Sequence, residues 1–101
     1  MLRIYETMIE VLRGLVPVAM AIERSDRDLA RQLRRASSSV ALNISEGSGS
    51  SAGTRKERYR NALGSAREVA ACVEVARAWR YAEVPAEGLR QIIGTLVNIT
   101  R

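Results

Sequence analysis

The chain of 101 residues is 47% hydrophobic, which allows one compact core, so we predict a single domain over residues 1–101. The net charge is +5, and the single cysteine, Cys72, excludes an internal disulfide framework and suits a reducing cytoplasm. Acidic residues occur within the first ten and no long apolar run follows, so neither a signal peptide nor a membrane span is expected.

The first helix is predicted over residues 2–24, where apolar side chains recur at three- and four-residue spacing. This predicted core stripe consists of Tyr5, Met8, Ile9, Leu12, Leu15, Val16 and Ala19. A second apolar row beside it, formed by Ile4, Val11 and Val18, makes the apolar face unusually broad. Pro17 predicts a kink within this helix.

The second helix is predicted to begin at Ser25-x-x-Asp28, a helix-start signal, and to end near Glu46. Its predicted core stripe consists of Leu29, Leu33, Ala36, Val40 and Ile44. After it, Gly47 and Gly49 favour a left-handed C-terminal cap, and the neighbouring serines favour a turn.

The third helix is predicted to open on the capping box Thr54-x-x-Glu57 and to run to about Tyr81. One stripe consists of Tyr59, Leu63, Ala66, Ala70 and Val73. Half a revolution away lies a second row, consisting of Asn61, Ser65, Glu68, Cys72, Val75 and Trp79. A monomer gives this second row no obvious partner.

The fourth helix follows a break at Val84 and Pro85, and Pro85 suits a first helical turn. Its apolar residues are Leu89, Ile92, Ile93 and Leu96. Because the connections are short, consecutive helices should be antiparallel neighbours. The predicted fold is therefore all-α, an antiparallel up-and-down four-helix bundle.

The sequence lacks the residues that catalytic and cofactor-binding sites usually contain. Gly47-x-Gly49-x-x-Ala52 matches a loose dinucleotide fingerprint, but a helix and not a strand precedes it. There is no histidine, no suggestive carboxylate pair and no Glu-x-x-His repeat for a di-metal centre. We therefore expect no enzyme activity and no catalytic, cofactor-binding or metal-binding residue.

Apolar residues outside the main stripes predict an interface between copies of the chain. Leu42, Val75 and Trp79 each project away from the core stripe of their helix, and several such residues on a small bundle indicate self-assembly. Cys72 lies on the same row of the third helix and is included in the predicted interface. It also fits a second interpretation, as a small buried apolar residue.

Three polar residues stand out: Asn43, Glu46 and Glu68. Asn43 lies at the margin of the core stripe of the second helix, and Glu68 lies on the second row of the third helix. Since burying an unpaired carboxylate or amide is costly, we interpret them as structural residues bonded to backbone groups or arginines. A binding pocket is the alternative.

The net charge is concentrated in residues 24–60, which hold nine basic and four acidic residues, while the remainder holds seven of each. The candidate nucleic-acid-binding residues, which we expect to lack matching acids, are Arg27, Arg31, Arg34, Arg35, Arg55, Lys56 and Arg58. They form either a solvated face or a polyanion-binding surface that contacts backbone charge and shape rather than bases. Arg3 and Arg101 are expected to contribute little.

Three runs of sequence resemble a known family: Gln32-Leu33-Arg34-Arg35-Ala36, the run Ser39-Val40-Ala41-Leu42-Asn43-Ile44-Ser45-Glu46-Gly47, and Gly64-Ser65-x-x-Glu68. Over about residues 5–100 the chain resembles the four-helix bundle proteins encoded in intervening sequences of bacterial 23S rRNA genes. The resemblance implies an antiparallel bundle, often assembled into a ring-shaped homopentamer, in a family whose biochemical role is poorly defined. Accessory proteins of diversity-generating retroelements are similar in architecture, and they are basic pentamers that bind a reverse transcriptase and nucleic acid.

The leading functional hypothesis is a non-enzymatic, cytoplasmic homo-oligomer that binds structured RNA through its basic surface. The alternative is a scaffold or accessory protein whose basic surface binds an acidic partner protein, such as a reverse transcriptase. The sequence identifies neither the RNA nor the protein partner.

Overall fold

The computed structural model describes residues 3–83 and 87–101, which form four α-helices and no strand. Helix α1 spans Arg3–Glu23, α2 spans Arg27–Ser48, α3 spans Ala52–Ala78 and α4 spans Glu87–Thr100. Each helix packs on the next along the chain, and α1 also packs on α4, which closes the bundle. The predicted four-helix bundle is confirmed. No helix in the described ranges combines the length and apolar character that crossing a membrane requires.

Helix α2 begins one residue later than the predicted start signal implies. The N-cap is Asp26, whose extended backbone lets its carboxylate accept a hydrogen bond from the Leu29 amide at 2.9 Å. Ser25 instead closes the preceding turn, with its amide donating to the Ile22 carbonyl at 2.9 Å. The prediction that Ser25 caps this helix is therefore wrong.

The connection between α2 and α3 differs from the prediction at both ends. Gly47 lies inside α2, Gly49 caps the helix with a φ of −98°, and no described glycine has a positive φ. Helix α3 opens at Ala52, two residues before Thr54, so the predicted capping box lies inside its first turn. The Tyr59 ring lies directly over Gly47, so the end of α2 packs against the first turns of α3.

The core contains side chains from all four helices, including every residue of the predicted α2 stripe. On α1 the buried face is rotated from the predicted one, since Val16 is 57% exposed while Val18, of the second row, is buried. The reason is geometric. The apolar surface of α1 is broader than the stripe that its two neighbours, α2 and α4, can cover.

Helix α3 ends at Ala78, three residues before the predicted Tyr81. Arg80 takes the left-handed conformation, with a φ of 60°, and this reverses the chain after the Trp79 C-cap. Val84 and Pro85, the predicted break before the fourth helix, lie outside the described residues.

Candidate nucleic-acid interface

All seven basic side chains predicted to bind nucleic acid are exposed. Most of them line one of two grooves. The α2/α3 groove has a volume of about 630 Å³ and contains Arg31, Arg34, Arg35 and Arg58. The end groove, about 600 Å³, contains Arg55 and Lys56. Arg27 lines neither groove.

The floor of the α2/α3 groove is polar and internally hydrogen bonded. The Ser39 and Ser65 hydroxyls lie 2.8 Å apart and join the two helices. The Asn43 amide donates to the Ser39 carbonyl at 2.9 Å and to the Ser39 hydroxyl at 3.1 Å. Asn43 therefore makes the backbone contact that its structural interpretation requires.

Three arginines of this groove form ion pairs, so the expectation that they lack matching acids is wrong. Arg34 lies 2.6 Å from Glu23, across the turn from α1, and Arg58 lies 3.1 Å from Glu46, across the α2/α3 contact. Arg31 lies 3.5 Å from Asp28 on its own helix. Since the side chains of these pairs are about half exposed or more, each pair stabilises the fold by about 0–1 kcal/mol, and a phosphate can compete for the guanidinium.

The end groove lies where α1 and α3 begin and α4 ends. Its lining residues are Arg3, Ile4, Ala52, Arg55, Lys56, Tyr59, Thr95 and Ile99, so among the residues that the structure describes it carries three cations and no acid. The Arg55 guanidinium also donates to the Ser50 carbonyl at 3.1 Å, which holds it at the start of α3.

Arg3 is a residue that sequence reasoning missed, since it was expected to contribute little. It lies more than 50 positions from Arg55 in the chain, yet lines the same groove. The predicted topology could have indicated this grouping, because an antiparallel up-and-down bundle brings the starts of its first and third helices to one end.

The predicted interface residues divide between surface and core. Leu42 is 62% exposed, Val75 43% and Trp79 67%, and the Trp79 indole stacks on the Tyr81 ring with centroids 6.2 Å apart. Cys72 is buried within the core of its own bundle and presents almost no surface to a partner. Its assignment to the interface is therefore corrected, and the alternative, a small buried residue, describes its position.

The remaining titratable residues make no metal site in the described part of the chain, where no cluster of three or more potential ligands occurs. Glu68, the third predicted structural residue, is exposed on α3.

Burial raises the pKa of the Cys72 thiol, and the negative charge of Glu68 raises that pKa further.

Comparison with protein families places the whole chain in one of them. The family described as 23S rRNA-intervening sequence protein matches residues 1–101. Searches of curated proteins and of solved structures each found no match. Because the family match covers the full length, and the chain folds as the four-helix bundle that its motifs implied, the chain belongs to the 23S rRNA-intervening sequence protein family.

Proposed function

We propose that this protein is a non-enzymatic, self-assembling helical bundle that binds structured RNA through the end groove and the α2/α3 groove. The observation that carries the proposal is the end groove, where Arg3, Arg55 and Lys56 converge without an acid among the described lining residues. Cations held this way attract a polyanion and release its counterions when they neutralise phosphates. The family description names a 23S rRNA intervening sequence, which makes structured RNA the polyanion to test first.

The two grooves differ in how they would hold phosphate. In the end groove the cations have no carboxylate competitor among the lining residues that the structure describes. In the α2/α3 groove, the guanidinium groups of Arg34 and Arg58 are already paired with carboxylates. Each would exchange its carboxylate for a phosphate of similar geometry. The end groove should therefore supply most of the affinity, and the α2/α3 groove should extend the contact.

Base recognition has little structural support. The aromatic ring of the end groove, Tyr59, is buried against Gly47 and offers no stacking platform. Binding should therefore depend on backbone charge and helix shape, with slight sequence preference.

Self-assembly would strengthen this binding by repeating the grooves around one particle. Leu42, Val75 and Trp79 supply exposed apolar area for such assembly. Because affinity for RNA grows steeply with the number of phosphates neutralised, several modest grooves acting together would outperform one.

The test is fluorescence anisotropy of a labelled RNA hairpin between about 50 and 200 mM salt. Arg55→Glu/Lys56→Glu should weaken binding by about tenfold or more at the lower salt. It should also reduce the slope of log affinity against log salt concentration by about two, because two phosphate contacts are lost. Arg31→Glu/Arg35→Glu should weaken binding less. The matched control is Arg67→Glu/Arg90→Glu, which makes the same charge change at exposed positions outside both grooves.

Two results would contradict the proposal. One is an equal loss in the control variant, which would mean that affinity follows net charge and not the grooves. The other is no binding by the unaltered protein even at the lowest salt.

A second candidate function, binding of an acidic partner protein, is favoured by the exposure of Leu42 within the α2/α3 groove. An apolar side chain among arginines suits an acidic segment that also carries an apolar anchor, and adds nothing to phosphate binding. Under this hypothesis a protein partner should remain bound after nuclease treatment and be lost with Leu42→Ala. A partner that is released by nuclease would favour RNA.

A further inference from the structure

A third groove, between α1 and α2, is apolar and lies away from the end groove. It has a volume of about 440 Å³, and most of its lining comes from aliphatic side chains of α1, including Val16 and Met20. Val16 is exposed although its spacing predicts a core residue, and Met20 is 56% exposed. The breadth of the apolar face of α1 thus leaves an uncovered groove on the bundle.

The same chain carries a projecting apolar feature on a different helix. Trp79, the single tryptophan, stands largely exposed at the end of α3, with Val75 one turn before it. The indole stacks against Tyr81, which restricts its orientation. Rigid aromatic side chains of this kind are the usual anchors of protein interfaces.

The shape of the chain leaves long helix faces open to a neighbouring copy. Its extents are 42 × 22 × 21 Å, and it exposes 6320 Å², whereas a compact monomer of 11.1 kDa is expected to expose about 5,700 Å².

The cations at the edge of this groove are compensated by acids, although the groove shares Arg34 with the α2/α3 groove. At its edge, Arg13 is paired with Glu10 and Arg34 with Glu23, so neither cation is uncompensated. Near Trp79, two exposed arginines and two exposed glutamates also balance: Arg77, Arg80, Glu74 and Glu83. The occupant that fits the groove is therefore apolar and locally neutral, and the chain itself presents such a feature.

We infer that Trp79 of one copy inserts into the α1/α2 groove of the next copy. This inference rests on the self-assembly in the proposed function and specifies its geometry. Because the projecting residue and the groove are different surfaces, the contact is head-to-tail, and repeating it gives a closed ring or an open filament. Each copy would then cover Val16 and Met20 of its neighbour.

The first test uses light scattering on two complementary variants. Trp79→Arg retains the groove, and Val16→Glu/Met20→Glu retains the tryptophan, so each alone should be monomeric. Mixed together they should form a 1:1 dimer that grows no further. The tryptophan of the Val16→Glu/Met20→Glu variant enters the groove of the Trp79→Arg variant, and no second intact contact remains. Gln91→Glu, which places a negative charge at an exposed site on α4 outside the three grooves, should assemble like the unaltered protein.

The outcomes distinguish the head-to-tail contact from self-assembly in general. If the groove variant assembles like the unaltered protein, the inference is overturned while the proposed self-assembly stands. A mixture that stays monomeric overturns the head-to-tail arrangement. An unaltered protein that is monomeric at micromolar concentration overturns self-assembly itself, and salt-dependent RNA binding by that monomer is then measured separately.

A second test measures proximity without disturbing the contact. In a Cys72→Ala background, a chain carrying both Val16→Cys and Val75→Cys should give a ladder of oligomers with a short bismaleimide. Each single-cysteine chain should give none, because a head-to-tail contact keeps identical positions apart. Dimers from either single-cysteine chain would overturn the inference.

Discussion

Gly47 shows how one residue sets the junction between α2 and α3. A Cβ at this position would lie 2.6 Å from Cε1 of Tyr59, whose ring is buried and has little room to move. Gly47→Ala should gain up to about 1 kcal/mol of helix propensity but lose about 1–3 kcal/mol to overpacking, a net destabilisation. Urea unfolding monitored by circular dichroism measures the difference.

Gly64 is the matched control for that substitution. It lies within α3, and a Cβ added there would meet no described atom within 4 Å, so Gly64→Ala should stabilise the protein by about 0.5–1 kcal/mol. A Gly47→Ala variant that is as stable as Gly64→Ala would show that the Tyr59 ring is not held in place.

Cys72 predicts a pH effect at the residue scale. Burial, with the Glu68 charge second, raises the folded-state pKa of the thiol above its ordinary 9.0. As the pH rises through 9.0, the thiol of the unfolded chain ionises while the folded one stays protonated, so the free energy of unfolding should fall.

The measurement compares urea unfolding at about pH 7 and about pH 10 for the unaltered protein and Cys72→Ala. The variant should lose less stability over this interval, because it lacks the thiol and otherwise has the same sequence as the unaltered protein. An identical pH dependence in the two proteins would contradict the prediction, as would rapid alkylation of the folded thiol at pH 8.

At the scale of the helices, the family motif on α2 has a specific physical content. Asn43 bonds to the backbone one turn before it, Glu46 pairs with Arg58 of α3, and Gly47 admits the Tyr59 ring. Glu46 and Gly47 therefore contact α3 directly, while Asn43 bonds to Ser39, whose hydroxyl lies 2.8 Å from that of Ser65 on α3. Helix packing thus accounts for the residue types at these positions of the motif.

The α2 stripe carries the stability prediction at this scale. Leu33 and Val40 are fully buried, so Leu33→Ala or Val40→Ala should cost about 1–5 kcal/mol in the free energy of unfolding. Ile99→Ala, an aliphatic truncation on α4 at an exposed site, should cost well under that range. Denaturant midpoints of the three variants test the order, and equal midpoints would mean that the buried faces are misassigned.

At the scale of the whole molecule, assembly and RNA binding should be coupled. If copies present their end grooves on one particle, the unaltered protein should show a steeper log–log salt dependence of RNA affinity than Trp79→Arg. The substitution lies outside both basic grooves and adds a positive charge, so weaker binding would follow from lost assembly alone. An unchanged slope in a demonstrably monomeric variant would mean that one copy binds RNA by itself.

Much of the fold was predictable because it depends on spacing along the chain. The 3.6-residue period located four helices, and the α2 stripe is buried as predicted from Leu29 to Ile44. The helix boundaries were less predictable, since α3 begins at Ala52, two residues before the Thr54 capping signal. In the candidate site, the sequence predicted that the basic residues are exposed. It did not predict how they are divided between the two grooves.

The sequence by itself determined the helices, the concentration of charge in residues 24–60 and the family, because each is encoded in local order or in motifs. Only the tertiary structure decided that Arg3 joins Arg55 and Lys56, that Arg34 is paired with Glu23, and that Val16 is left exposed. These outcomes depend on which helix faces and helix ends meet, and those contacts join residues that are distant along the chain.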